Sequence, residues 1–597
     1  MGQNQLPRCR GYVVPRCGKW LVRLFVVAIL FPFLIGSPAK AEPVPIPASP
    51  AAHPAVTFSH DIAPILFNNC VICHRPGQSA PFSLTNYSEV KKHAKEIGEV
   101  TQRRYMPPWL PEPGFGEFVG ERRLDAKQIA LIERWSEEGS PEGDPSDLPA
   151  PPKWNSDWLL GPPDLVLAMP RAFTTPAEGR DIYRNFVIPA SLTNAHYVKG
   201  IEFQPGNPKI VHHAFIKVDR TQASRRLEAK ESTPGFPGMD VPAEMPDGHL
   251  LGWQPGRLPA LEPEGLAWRL DPGNDLIFQM HLNPDGKPET LQPKIGLYFT
   301  DAMPTNKCFK LELTSFAIDI PADETNYVVE DSYTLPIDSD ALAVLPHAHY
   351  LAQEMRGWAT LPDGTKKWLL FIKHWDFNWQ GDYRYAEPVF LPKGTVLAMR
   401  FTYDNSTNNL QNPNRPPKAV EYGSQSKDEM AELWLQLLPR RPGDIPTLAA
   451  DYQRKVTRLI INSDEFKLRK NPDDANAHVE LGVILFFSMN RPREAERQFQ
   501  AAIRADPNYA QAHYHYGTFL RYLQRLSDAE SEFEAALRLD PNDAKSHGNL
   551  GLIMIDLGRI PEAESHLRDA LRLDPEDTLA KETLEQLAKA KTSSPKQ

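Results

Sequence analysis

The sequence predicts a multi-domain chain: a small all-α domain, then two consecutive all-β sandwiches, then a C-terminal α-helical solenoid. Three observations carry this. The chain has 597 residues, too many for one hydrophobic core. Its 59 prolines are unevenly spread, with proline-rich breaks at Pro43–Pro54 and at Gly143–Pro152. Beyond those breaks the texture changes twice, first to short β-rich runs and then to a helical repeat. Apolar residues at 41% and charged residues at 24% describe a globular protein. A net charge of −10 supplies no basic field for phosphates, which excludes nucleic acid as a partner.

The first element is an export signal over residues 1–41. Arg10, Arg16, Lys19 and Arg23 precede an apolar run from Leu24 to Ile35, and Ala39-Lys40-Ala41 closes it in the A-x-A manner. The run is short for a membrane span, so cleavage and a periplasmic or extracellular destination are expected, an uncleaved anchor being the alternative. A linker over 42–57 follows. Residues 58–142 form the small α domain, and a second linker covers 143–154.

From 155 the chain alternates Val, Ile, Phe and Thr runs with Pro-Gly, Asp-Gly and Asn-Pro punctuation, as at Pro205-Gly206, Asp285-Gly286 and Asp363-Gly364. This predicts one sandwich over 155–320 and another over 321–442. In the last part Pro507, Pro541 and Pro575 recur every 34 residues, as do Ala495, Ala529 and Ala563, while Gly482, Gly517 and Gly551 recur at 35 and 34. The period and the small residues resemble the tetratricopeptide repeat, with three copies inside 464–590 and a protein-docking surface implied.

Of the five cysteines, Cys9 and Cys17 lie in the signal, leaving Cys70, Cys73 and Cys308. Cys70-Val71-Ile72-Cys73-His74 has the spacing at which two thiols bond a haem and the next histidine ligates its iron. A thioredoxin-like pair or half a zinc site would need a strand-helix context or a second cysteine pair, and neither is evident. Met106, before Pro107-Pro108, is the favoured second iron ligand, with His93 as its competitor. The segment from Phe58 to Gly139 resembles small class I cytochrome c domains, which implies one covalent haem c held by Cys70, Cys73, His74 and Met106. Helices are expected from His60-Asp61 and over Asp125 to Gly139.

Histidines in the β region are grouped as His212-His213, His281 and His347-x-His349. Residues two apart in a strand share a face, so His347 and His349 can address one metal, whereas adjacent His212 and His213 need a bulge to converge.

Val211-His212-His213-Ala214-Phe215, Gln279-Met280-His281-Leu282, His347-Ala348-His349 and Asp428-Glu429-Met430 together resemble the type II copper, ascorbate-dependent monooxygenases. These include the peptidylglycine α-hydroxylating and dopamine β-hydroxylating enzymes. The resemblance implies two copper ions, one on His212, His213 and His281 for electron storage and one on His347, His349 and Met430 for oxygen activation. Met355 competes with Met430 for the thioether role. It also implies hydroxylation of a C–H bond with O2 and electrons from the haem or an external donor, on a small-molecule or peptide substrate. Thioether and imidazole donors favour the reduced ion that meets dioxygen.

The pattern departs where the amidating enzyme carries an arginine, an asparagine and a tyrosine for a peptide carboxylate. Here those positions are Leu345, Glu432 and Trp434, and the family's disulfides are largely absent. The alternative reading is a non-catalytic haem- and copper-bearing scaffold that docks partners through its repeats.

Overall fold

The computed structural model describes residues 55–593 except 77, 79, 154–156 and 240; the expected signal over 1–41 lies outside them. Helical turns occupy Phe58–Ile62, Ala63–Asn69, Tyr87–Lys92, Ala94–Gln102 and Ala126–Glu137. The last begins where Asp125 accepts the Gln128 backbone N–H while the Gln128 side chain accepts the Asp125 N–H, two otherwise orphaned donors satisfied at once. Phe58, Leu66, Ile97, Ile132 and Trp135 form a core of their own. His93 separates helix Tyr87–Lys92 from helix Ala94–Gln102.

The small α domain is less self-contained than its flanking linkers suggest. The Glu112 N–H donates to the Phe371 carbonyl (2.7 Å), the Val119 N–H to Arg384 (2.9 Å), and the Ala386 N–H to Glu117 (2.8 Å). Phe118 is buried in the second β core, against Tyr385. Backbone pairing of this kind gives no periodic signal in sequence, because each partner is a single residue rather than a strand.

The central region is all-β and antiparallel. In its first half, a five-stranded sheet runs in the order Phe236–Pro237, Ile182–Pro189, Asp275–Leu282, Val211–Asp219 and Gly252–Trp253. A four-stranded sheet, Leu165–Ala168, Lys294–Thr300, His196–Gln204 and Trp268–Leu270, shares its core through Phe186, Ile216, Phe278, Val198, Trp268 and Leu297. The second half pairs two four-stranded sheets. One runs Phe309–Thr314, Glu432–Pro439, Ser339–His347, Tyr383–Leu391; the other runs Tyr327–Thr334, Val396–Tyr403, Ala352–Thr360, Lys366–Ile372.

The division between halves falls earlier than residue 320. Strand Phe309–Thr314 pairs along its whole length with Glu432–Pro439, so it belongs to the second half. Leu311 and Leu313 point into that core, and period-two alternation alone does not say which core receives them.

Helix Ile445–Lys470 then runs 26 residues without interruption. Its start is well before Asp464, where the repeat pattern begins in sequence, because its first half packs on the second β half instead of on a repeat. Tyr452 Oη meets the Glu312 backbone, Tyr333 donates to Asp451, and Lys455 pairs with Asp331 (2.5 Å). Six helices from Ala475–Phe487 to Ile560–Leu573 form three antiparallel pairs, capped by Thr578–Ser593. A Cβ on Gly482 would stand 2.8 Å from the Phe499 ring, so glycine is what lets the paired helices approach. Tyr516 is buried in the repeat core. No helix among the described residues is long and apolar enough to cross a membrane.

Candidate metal centre

Strand Val211–Asp219 pairs with Asp275–Leu282, and its register shifts between Val211 and His213. That bulge turns two adjacent histidines the same way. Their Nδ1 atoms lie 3.1 Å apart, and the ring centroids of His212, His213 and His281 are 4.9 to 5.2 Å from one another. One nitrogen from each of the three falls within 4.8 Å of the others. His347 ends its strand, and His349 lies just beyond, with ring centroids 5.3 Å apart. The two groups meet: His213 and His347 are 6.1 Å apart, centroid to centroid.

These rings sit where the two β halves touch. Burial, then the neighbouring imidazoles, pushes His212 down to about 3 and holds His213 and His349 well below the ordinary histidine value. Burial likewise lowers His281, against the nearby Asp181 carboxylate. Neutral imidazoles are what a metal needs, so burial prepares the donors. His281 Nε2 is buried with no aligned hydrogen bond among the described residues, although Asp181 Oδ2 lies 3.4 Å away. An orphaned donor atom among clustered imidazoles fits a soft or borderline metal ion such as copper.

Several residues that no local motif marks complete the centre. Tyr183 stacks on His281 (4.3 Å) and donates to the Ser424 carbonyl (2.5 Å), joining the halves. Asp181 accepts both the N–H and hydroxyl of Ser426; although burial opposes its charge, the neighbouring His281 ring and the Ser426 bonds hold it below the usual carboxylate range. Phe377 stacks on His212 (4.2 Å), faces His349 (5.4 Å), and accepts a bond from His212 Nε2 at its carbonyl (3.2 Å). Gln380, on the same turn, meets His347 Nδ1 at 2.5 Å.

Glu429 is wholly buried and accepts the backbone N–H groups of His349 (2.5 Å), Met430 (2.9 Å) and Leu351 (3.0 Å). Burial pushes its carboxyl up to about 8, against the downward pull of those three donors. It thereby ties the His349 loop to Met430, whose carbonyl accepts Tyr403 Oη (2.8 Å). Met355 is buried inside the second β core, whereas Met430 lies outside that cluster. Leu345 and Trp434 are register partners on adjacent strands, and Glu432 pairs with His347.

In the α domain, Cys70 caps the C-terminal end of helix Ala63–Asn69, and burial pushes its thiol up to about 12. That end of a helix disfavours a thiolate, unlike the N-terminal setting of a redox C-x-x-C. His74 Nδ1 donates to the Phe82 carbonyl (3.1 Å), which leaves Nε2 as the lone-pair nitrogen an iron would take. The fit to haem rests on this tautomer alone: a cavity of about 510 Å³ nearby reaches Cys73, Trp109, Trp253, Trp379 and Gln380 but is not lined by Cys70, His74 or Met106. Phe82 faces His74 (4.9 Å) and stacks on His93 (3.8 Å). Met106 is half-buried outside the helical core, its N–H on the Val100 carbonyl.

Residues 484–543 and 519–578 match the tetratricopeptide repeat family, so the C-terminal solenoid is of that class. The chain is similar there to YrrB, described as a tetratricopeptide repeat protein with an unusual peptide-binding site, at 23% identity over 22% of this chain and 68% of that one (TM-score 0.20). Pseudomonas aeruginosa pilF is 26% identical over 24% of this chain and 64% of its own (TM-score 0.22). The first repeat domain of Spaghetti (RPAP3), bound to an HSP90 peptide, is 23% identical over 20% of this chain and 94% of its own (TM-score 0.19). No curated protein matches the chain.

Proposed function

We propose that the chain is an exported, copper- and haem-dependent monooxygenase that hydroxylates a C–H bond of an organic substrate with O2. The observation that carries this reading is the convergence of His212, His213, His281, His347 and His349 at the junction of two β halves, beside the loop that holds Met430. Copper in such a site would supply one-electron redox chemistry and dioxygen activation. The protein's own part is to favour the neutral form of His212, His213, His281 and His349 by burial and to aim all five rings. Asp181 and Tyr183 orient His281, Phe377 and Gln380 fix His212 and His347, and Glu429 sets His349 against Met430.

With Leu345, Glu432 and Trp434 where a carboxylate clamp would stand, the substrate has no terminal carboxylate for this chain to grip. A haem held by Cys70, Cys73 and His74 would act as a one-electron donor, with Met106 or His93 as its second ligand. The repeats dock a protein partner.

Metal analysis of the purified full chain tests this: two coppers and one acetone-resistant haem per chain are expected, with O2 uptake under ascorbate that His347→Ala abolishes. Zinc in place of copper, or haem retained in a Cys70→Ala/Cys73→Ala double variant, would overturn it. Copper and haem bound, but no O2 uptake with any reductant, would favour the scaffold reading, which the repeat match supports independently.

A further inference from the structure

We propose that the cavity where the α domain meets both β halves is a binding site for a small aromatic monocarboxylate, a ligand distinct from the group oxidised at the histidines. This does not depend on the copper reading above. The cavity holds about 510 Å³, within the range that takes a drug-sized organic molecule. Neither the five clustered histidines nor Met430 lines it, and only Ile72 and Cys73 of the C-x-x-C-H run reach it.

Each part of the fold contributes one half-buried tryptophan to the wall: Trp109 from the α domain, Trp253 from the first half and Trp379 from the second. The three parts touch at Gly256, where a Cβ would stand 3.3 Å from Pro108 Cγ and 3.9 Å from the Trp379 ring. Half-buried indoles offer flat apolar faces, on which an aromatic ring gains more than an alkyl chain of equal area.

The charge of the occupant follows from the ions around it. Arg257 is paired with Asp382 (2.6 Å), Arg384 with Glu262 (2.7 Å), and Lys294 lies over the Trp158 ring (5.2 Å). Glu202 is taken up by the Leu159 and Leu160 N–H groups (2.8 and 3.0 Å). Arg122 is left over: among the described residues its guanidinium has no ion pair or hydrogen bond, and its Nε is buried without an acceptor. Its charge is felt at Tyr383, whose ring meets Trp109 edge-on (5.4 Å), so the cation and that indole share a neighbour. An unanswered guanidinium beside apolar walls is matched by one carboxylate, which it holds through two parallel bonds.

Equilibrium dialysis of naphthoate against the purified full chain, with tryptophan fluorescence read in parallel, tests this. One naphthoate per chain should bind saturably and quench the indole emission, while naphthamide and decanoate should each bind at least about 10-fold more weakly. Arg122→Met should weaken naphthoate by about 10- to 100-fold and leave naphthamide unchanged, whereas Arg122→Lys, which keeps the charge but not the fork, should lose less. The comparison of naphthoate with naphthamide on the unaltered chain stands even where a variant does not fold. No saturable binding, equal binding of naphthamide or decanoate, or binding untouched by Arg122→Met would each overturn the site. Binding seen only in a Cys70→Ala/Cys73→Ala variant would overturn it too, by assigning the space to haem.

Discussion

Replacing Glu429 by alanine removes one acceptor from each of three buried N–H groups, those of His349, Leu351 and Met430. An orphaned buried donor costs about 1–3 kcal/mol, and relief from burying a carboxyl returns some of the total, so a net loss of about 3–5 kcal/mol is expected. Glu429→Gln keeps one acceptor oxygen and sets an amide N–H2 against the remaining donor, for a loss of about 1–3 kcal/mol. Hydrogen exchange resolves the effect locally, since the His349 and Leu351 amides should exchange at least about 100-fold faster in the alanine variant and less so in the glutamine variant. The environment of Trp375, whose indole N–H donates to the His349 carbonyl (3.1 Å), should shift in parallel in fluorescence. Unchanged exchange at both amides in Glu429→Ala would refute the claim that this carboxyl sets the His349 loop, and with it the account of how Met430 is placed.

Other outcomes follow from the same contacts. Glu262 links the halves through His249 (3.2 Å) and Arg384 (2.7 Å), and Glu262→Ala should cost about 1–3 kcal/mol in urea unfolding by leaving the half-buried Arg384 guanidinium and the buried His249 without their carboxylate. Burial opposes the Glu262 charge, but bonds from His249 and Arg384 lower its carboxyl to about 2, so its contribution is present above the ordinary value of 4.5 and is lost as pH falls from there towards 2. The stability gap between wild type and Glu262→Gln should therefore close over that acid range. Glu312 behaves oppositely: burial and then Glu432 raise it to about 8, so its favourable term is present below 4.5 and lost as pH rises through 8. Glu312→Gln should accordingly flatten the decline in thermal stability between those values. In the repeats, a Cβ on Gly551 would stand 2.6 Å from Leu567 Cγ, and Gly551→Ala should cost about 1–3 kcal/mol in thermal unfolding of the repeats with copper content unchanged.

The helical repeats were legible in sequence because each glycine and proline sits at a fixed offset, and a repeated offset is a statement about packing that needs no distant partner. The histidines were legible for a similar reason, being rare and grouped, and the bulge at His212-His213 follows from the two-residue strand period. Asp181, Tyr183, Phe377, Gln380 and Glu429 were not. Each acts across the junction or across a loop, through partners as far as 245 residues away in the chain, where no spacing rule applies. The early crossing into the second half at Phe309 was hidden likewise, since strand alternation reveals a buried face but not the core that buries it.

The position of strand Glu432–Pro439 matters for how the protein is made. It is the last strand to leave the ribosome, yet it lies inside its sheet between Phe309–Thr314 and Ser339–His347. Until it arrives, two earlier strands wait with unpaired edges, and the loop bearing Glu429 and Met430 arrives immediately before it. A nascent chain halted short of Glu432 would expose both edges to other chains, an invitation to aggregation. Completion of the sheet and completion of the histidine cluster are thus the same late event of synthesis, so a chain that has not closed its second half has not yet brought His347 and His349 against the loop of Met430.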